Sequence, residues 1–206
     1  MLESLDETIE ALVRAGIPPK LEDQIAISFA RPDEDFAATI PTLNLFLHSI
    51  LENRDLRSRV PSARLEGDTY VGHQAPVRVD CSYLVTAWAA AGDQAPEKTE
   101  HRLLGWALRL LLQHRFVPDE LRRGAMKLQP MPLSTVAIQG TAEQRGDFWL
   151  ALGGKPRAAL EYKVTICVGT GGVEDLGPPV RSSVLDMQLD SAMATASSRR
   201  PAEAPS

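Results

Sequence analysis

From Ala159 to Val168 the chain alternates without a break, with Leu160, Tyr162, Val164, Ile166 and Val168 on one side and Glu161, Lys163 and Thr165 between them. A period of two marks a strand with one buried face, and such a strand needs neighbours beside it and a layer over it. Residues 77–88 repeat the pattern: Val77, Val79, Cys81, Tyr83, Val85 and Ala87 line one face, while Arg78, Asp80, Ser82 and Thr86 dominate the other. A third run, 42–52, places Leu43, Leu45, Leu47 and Leu51 at period two with one break at Ser49. These runs call for a sheet covered on one side.

The covering layer is legible in two helical patterns. In residues 4–15, Leu5, Ile9, Leu12 and Val13 recur at helical spacing; Ser4 with Glu7 predicts a capping box, and Gly16 before Pro18-Pro19 predicts the stop. Residues 99–114 carry a broad apolar stripe of Leu103, Leu104, Ala107, Leu108, Leu111 and Leu112, with Arg102, Arg109 and Gln113 opposite. Ile25, Ile27 and Phe29 alternate as a short first strand ended by Arg31-Pro32-Asp33. Residues 58–76, with Pro61, Gly67, Gly72 and Pro76, read as a long surface loop. Residues 126–139 read as an irregular strand, and Pro130 and Pro132 confine it to an edge or a bulge. Thr141 with Gln144 opens a short helix through Phe148, Trp149 and Leu152 to Gly153-Gly154.

The resulting order, α-β-β-β-α-β-α-β, lacks the helix after nearly every strand that a doubly wound parallel sheet requires. The expected fold is α/β of the α+β kind: a mixed, mostly antiparallel sheet packed against two to three helices. It occupies residues 1–168, followed at 169–206 by a flexible tail rich in Gly, Pro, Ser and Ala. Within that tail, Leu185, Met187 and Leu189 alternate, so 180–190 is a candidate docking segment.

Composition narrows function by exclusion. Twenty-two basic against 27 acidic residues give a net charge of −5, which argues against a broad basic footprint for nucleic acid. No apolar run approaches the roughly 20 residues needed to cross a bilayer, and the acidic start MLESLDETIE is unlike a secretory signal. A cytoplasmic, soluble protein is expected, one that another system could carry out of the cell. Cys81 and Cys167 each sit in an apolar run and read as small buried hydrophobes.

Chemistry is thin. His48, His73, His101 and His114 lack metal spacing, and Ser134, Ser182 and Ser183 lie in no nucleophile elbow. Gly169-Thr170-Gly171-Gly172 follows a strand but precedes no helix pattern and no Lys-Ser/Thr pair, so it reads as a linker rather than a phosphate loop. Trp88, Trp106 and Trp149 are read as core residues. No catalytic, cofactor or metal site is expected.

One feature remains. The apolar run of 42–52 passes directly into Glu52, Asn53, Arg54, Asp55, Arg57 and Arg59, a fringe that is either solvated or a contact surface. PTLNLFLHSILENRDLRS, APVRVDCSYLVTAW, EHRLLGWALRLLLQH and WLALGGKPRAALEYKVTI, in that order, resemble the domain of cap or tail-terminator proteins of extracellular contractile injection systems. These are phage-tail-like particles of the antifeeding-prophage type. Glu52-Asn53, Arg57, Pro76-Val77-Arg78, Tyr83, Trp88, His101 to Leu104 and Trp149 to Gly154 carry the match, which covers about residues 4–168. The resemblance implies a non-enzymatic subunit that forms a six-fold ring at the distal end of the inner tube and sheath and ends tail growth. Its partners would be copies of itself and the tube and sheath subunits, with neither nucleic acid nor membrane. Glu52, Asn53, Arg54, Arg57 and Arg78 are the expected interface residues. Two other readings stay open: a small-molecule-binding or enzymatic domain with 58–76 as a lid, and an adaptor that recruits a partner through 180–190.

Overall fold

The computed structural model describes residues 1–33, 36–57, 62–66, 69–138, 149–151, 156–169, 171 and 173–175. Five strands form the main sheet in the order β1-β2-β5-β7-β6: β1 Ala26–Ser28, β2 Thr42–Glu52, β5 Val77–Trp88, β6 Ser134–Ile138 and β7 Ala159–Val168. All neighbours are antiparallel except β1 and β2, as a mixed, mostly antiparallel sheet requires. The alternating runs set the register, because each places its apolar set on the same face: Leu45 lies opposite Val85, and Val85 opposite Leu160. Leu43, Leu45, Cys81, Tyr83, Val85, Tyr162, Val164 and Ile166 are buried there with the apolar residues of both helices.

Helix α1, Leu2–Gly16, buries Leu5, Ile9, Leu12 and Val13. The expected capping box is not used. The helix begins two residues earlier, with Met1 at its cap, and Ser4 lies inside the first turn, where its carbonyl accepts the Thr8 hydroxyl at 2.6 Å. Gly16 is the last residue of the helix, as expected, and it lies close against a neighbouring side chain: a Cβ there would sit 2.5 Å from Leu110 Cδ1.

Helix α2, Pro96–Gln113, starts three residues before the expected 99, with Pro96 in its first turn, a position where a missing N–H costs nothing. Its buried set is Leu103, Leu104, Ala107, Leu110 and Leu111. Leu110 replaces Leu112 of the expected stripe, and Leu112 is exposed.

The segment after α2 corrects the reading of 126–139. Among its described residues only Ser134–Ile138 is strand; Asp119–Leu121 and Gly124–Leu128 form 3-10 turns that pack beneath α1, where Arg123 N–H donates to Thr8 Oγ1 at 2.9 Å. Gly124, at φ +46°, lies against the Ser4 hydroxyl with no room for a side chain. The edge position expected for this strand holds, with β6 outermost and partly covered by residues 115–117: Val117 N–H donates to Leu133 O (3.0 Å) and Thr135 N–H to Arg115 O (2.9 Å).

The larger correction concerns 58–76. Ser62–Glu66 (β3) and Thr69–His73 (β4) are strands, and with Val173–Asp175 (β8) they make a second sheet in the order β3-β4-β8. Strand therefore recurs at Val173–Asp175, within the stretch expected to be tail. A hairpin signal was present in Gly67-Asp68, two turn-forming residues between equal runs. The docking segment 180–190 and most of the helix expected at 141–152 lie outside the described residues. Trp149 is helical and fully buried against Leu84 and Ala159, in a small cluster separate from the main core.

Candidate assembly surface

The charged fringe is organised by an irregularity in β2. Register with β5 shifts between Leu47 and Ser49, so Ile50 comes opposite Cys81 and Leu51 opposite Asp80. A bulge inserts one residue and reverses which side chains face the core beyond it. Leu51, expected on the buried face, is 66% exposed, and Ile50 is 49% exposed. The strand thus leaves the body carrying apolar side chains into solvent, joined by exposed Leu56 and Met131.

Asp80 holds this end of the sheet together. Its carboxylate accepts from Thr165 Oγ1 at 2.7 Å and from Asn53 Nδ2 at 3.1 Å, and it pairs with Lys163 Nζ at 3.1 Å, linking β2, β5 and β7. Burial alone would raise its pKa; the hydrogen bonds from Thr165, Asn53 and Lys163, with the Lys163 charge, outweigh burial and hold it below the ordinary value. Asp80, Lys163 and Thr165 were not among the expected site residues. Their positions opposite one another follow from the β5–β7 register, which pairs Asp80 with Thr165, and no single strand pattern contains that information.

The five expected interface residues divide in two. Glu52, Arg54 and Arg57 are exposed at the rim, with Arg57 Nε 3.4 Å from Glu52 Oε1. Asn53 and Arg78 are half-buried, and each has a polar or sulfur partner within the protein. Asn53 Oδ1 accepts Leu56 N–H at 3.0 Å while its backbone N–H donates to Arg78 O at 2.8 Å, which fixes the turn out of β2. Arg78 Nη1 lies 2.6 Å from Met131 Sδ. Beside it, the Gln129 side chain pairs with the Cys167 backbone as a strand would, donating to its carbonyl at 3.0 Å and accepting its N–H at 2.6 Å.

The opposite end of the same strands is closed rather than open. Arg157 stacks 3.5 Å from the centroid of the Trp88 ring, and Phe36 packs 4.5 Å from that ring. Arg157 also donates to Ala87 O at 3.2 Å and lies 3.6 Å from Glu100 Oε1. All three tryptophans act as packing residues, as expected; Trp106, half-buried against the main core, also forms a wall of a groove of about 310 Å³ between α2 and the 3-10 turn at Pro19–Gln24. That groove is apolar, lined by Pro18, Leu21, Ile25, Pro41 and Leu103.

Other groups also have displaced ionisation. Tyr83 donates to Asp6 at 2.7 Å within the core, where burial and that bond raise its pKa; burial raises Asp6, though the Tyr83 bond opposes it. Burial, then the Asp80 and Asp6 charges, push the Cys81 thiol to about 11, as suits an inert buried hydrophobe. His48 is lowered by burial, with Glu161 opposing. Among the described residues no group of three His, Cys, Asp or Glu could hold a metal ion, and no helix is long and apolar enough to cross a membrane.

Comparison with known proteins fits this architecture. Residues 4–182 match the model of the family described as the Pvc16 N-terminal domain. The fold is similar to the sheath/tube terminator in the extended state of an extracellular contractile injection system, PVC: TM-score 0.64, 23% identity, covering 92% of this chain and 65% of that one. It is also similar to the tube-terminating cap of the anti-feeding prophage: TM-score 0.61, 23% identity, covering 89% of this chain and 60% of that one. The chain thus spans less than two thirds of the length of either structure. No curated protein sequence matches it.

Proposed function

The chain belongs to the Pvc16 N-terminal domain family, and on that premise we propose that it is a structural cap or terminator subunit of a contractile, phage-tail-like injection system. In this reading copies of the chain form a ring, six-fold by the resemblance, at the distal end of the inner tube and sheath, and the ring ends tail assembly. The observation that carries the proposal is a fold shared over 92% of the chain with a protein that is itself a sheath/tube terminator. The local geometry supports it. A cyclic ring needs two different patches per subunit rather than a pocket, and the rim supplies exposed Ile50, Leu51 and Leu56 beside Glu52, Arg54 and Arg57. Asn53 and Arg78 act behind that rim by fixing its shape.

The rival enzymatic reading required 58–76 to be a lid over converging polar groups. Ten of those residues are instead strand, in β3 and β4, so the reading loses the element it depended on. We read the chain as non-enzymatic, incorporated into a particle together with tube and sheath subunits. Purified chain examined by mass measurement and negative-stain microscopy, alone and with tube and sheath subunits, should give rings and ring-capped tubes. A strictly monomeric protein that binds neither subunit would overturn the proposal.

A further inference from the structure

The second sheet is made of chain that continues the first. β3 follows β2, β4 enters β5 through Gln74–Pro76, and β7 runs into β8 through Gly169–Gly172. The lateral order β3-β4-β8 therefore repeats β2-β5-β7 strand for strand, with the same antiparallel alternation. The small sheet is a three-stranded arm that prolongs the middle of the large one beyond the rim at Asn53 and Arg78.

This arm lacks what stabilises the body. Its extensive contacts are among its own strands, and among the described residues no helix makes extensive contact with it. Strands of five, five and three residues without a covering layer are marginal in water. Both lateral edges are also open among the described residues, since β3 pairs with β4 alone and β8 with β4 alone. An open edge is a row of unpaired N–H and C=O groups, a template for another strand.

The two edges lie on opposite sides of the arm and run in the same direction, because β3 and β8 are each antiparallel to β4. They are also level: Ala63 and Glu174 both stand opposite Gly72, and Ser62 and Val173 both stand opposite His73. In a cyclic ring every copy points the same way along the axis, and one side of each copy meets the other side of the next. We propose that the β3 edge of one copy pairs in parallel with the β8 edge of its neighbour, so that the arms close into one inter-subunit β-ring. Closure removes both edges at once, which no free peptide strand would do. The inference rests on the ring reading above.

Disulfide cross-linking tests it. Ala63→Cys with Glu174→Cys, and separately Ser62→Cys with Val173→Cys, are placed in the full chain, whose native cysteines are buried. Within one chain β3 and β8 are two strand spacings apart, about 9–10 Å, beyond the roughly 7 Å that a disulfide spans between Cα atoms. On oxidation, at least one double variant should shift most of the chain from monomer into a linked ladder reaching ring size and reversible by reductant. Each single variant should stay unlinked. A ring seen by mass measurement with no ladder in either pair overturns the arm pairing and leaves the ring standing. A protein that is monomeric throughout overturns both. Linked dimers from Ala63→Cys alone would show two-fold β3–β3 pairing and overturn the proposal as well.

Discussion

Replacing Asp80 by Asn isolates the charge that ties β2, β5 and β7 together at the rim. The substitution keeps size and one acceptor oxygen, so Thr165, 2.7 Å away, can retain its bond, while the pairing with Lys163 Nζ at 3.1 Å loses its charge. A hydrogen bond to a charged group contributes about 1.5–3 kcal/mol. The Lys163 side chain is 28% exposed and regains some water, which places the expected loss near 2 kcal/mol. For a chain of 206 residues that corresponds to a fall in Tm of about 4–8 °C. The pH dependence gives an independent sign. The folded pKa of Asp80 is depressed, so its stabilisation is complete above the ordinary carboxylate value of about 3.9 and disappears as pH falls through the folded value. Urea titrations of wild type and variant across acid and neutral pH should show a gap that is widest near neutrality and closes in acid. Equal midpoints at neutral pH, or a gap unchanged in acid, would refute the claim that this carboxylate holds the strand ends.

Three further outcomes are expected. Arg57→Glu breaks, among the described residues, an exposed ion pair with Glu52, so denaturation should shift by less than about 1 kcal/mol while ring and particle formation seen by microscopy fail; an equal loss of folding would make Arg57 structural. Gly16→Val forces a Cβ to 2.5 Å from Leu110 Cδ1 and should cost about 1–3 kcal/mol, with part recovered by Leu110→Ala in a double-mutant cycle. Leu51→Ser should change stability by no more than about 0.5 kcal/mol, as a surface substitution does; a loss of about 2 kcal/mol or more would mean that Leu51 is buried and the β2 bulge misplaced.

Much of the body was legible because its elements carry their own periodicity. β2, β5 and β7 fall at 42–52, 77–88 and 159–168 as their alternation predicts, since burying one face of a pleated strand imposes a period that no neighbour has to supply. The helices were legible in position but less so in their edges. Stripe and cap rules describe an isolated helix, whereas contact between α1 and α2 selected Leu110 over Leu112, and Met1, not Ser4, occupies the N-cap position. The pairing of β3 with β4 was not legible because Pro61, Gly67, Gly72 and Pro76 resemble loop composition, and five-residue strands offer too few alternations to outweigh them.

The rim divides along the same line. Sequence alone determined that an apolar strand ends in a dense charged run at Glu52–Arg57, and the ordered motifs around it carried the family. Only the tertiary structure decided which of those residues face outward. The bulge after Leu47 turned Leu51 to solvent; β7, 83 residues beyond Asp80 at Lys163, supplied partners to Asp80, and Asp80 in turn holds Asn53. The physical reason is the range of the interactions. A period of two is written into consecutive residues, whereas register shifts and ion pairs between strands exist only once distant segments of the chain lie side by side.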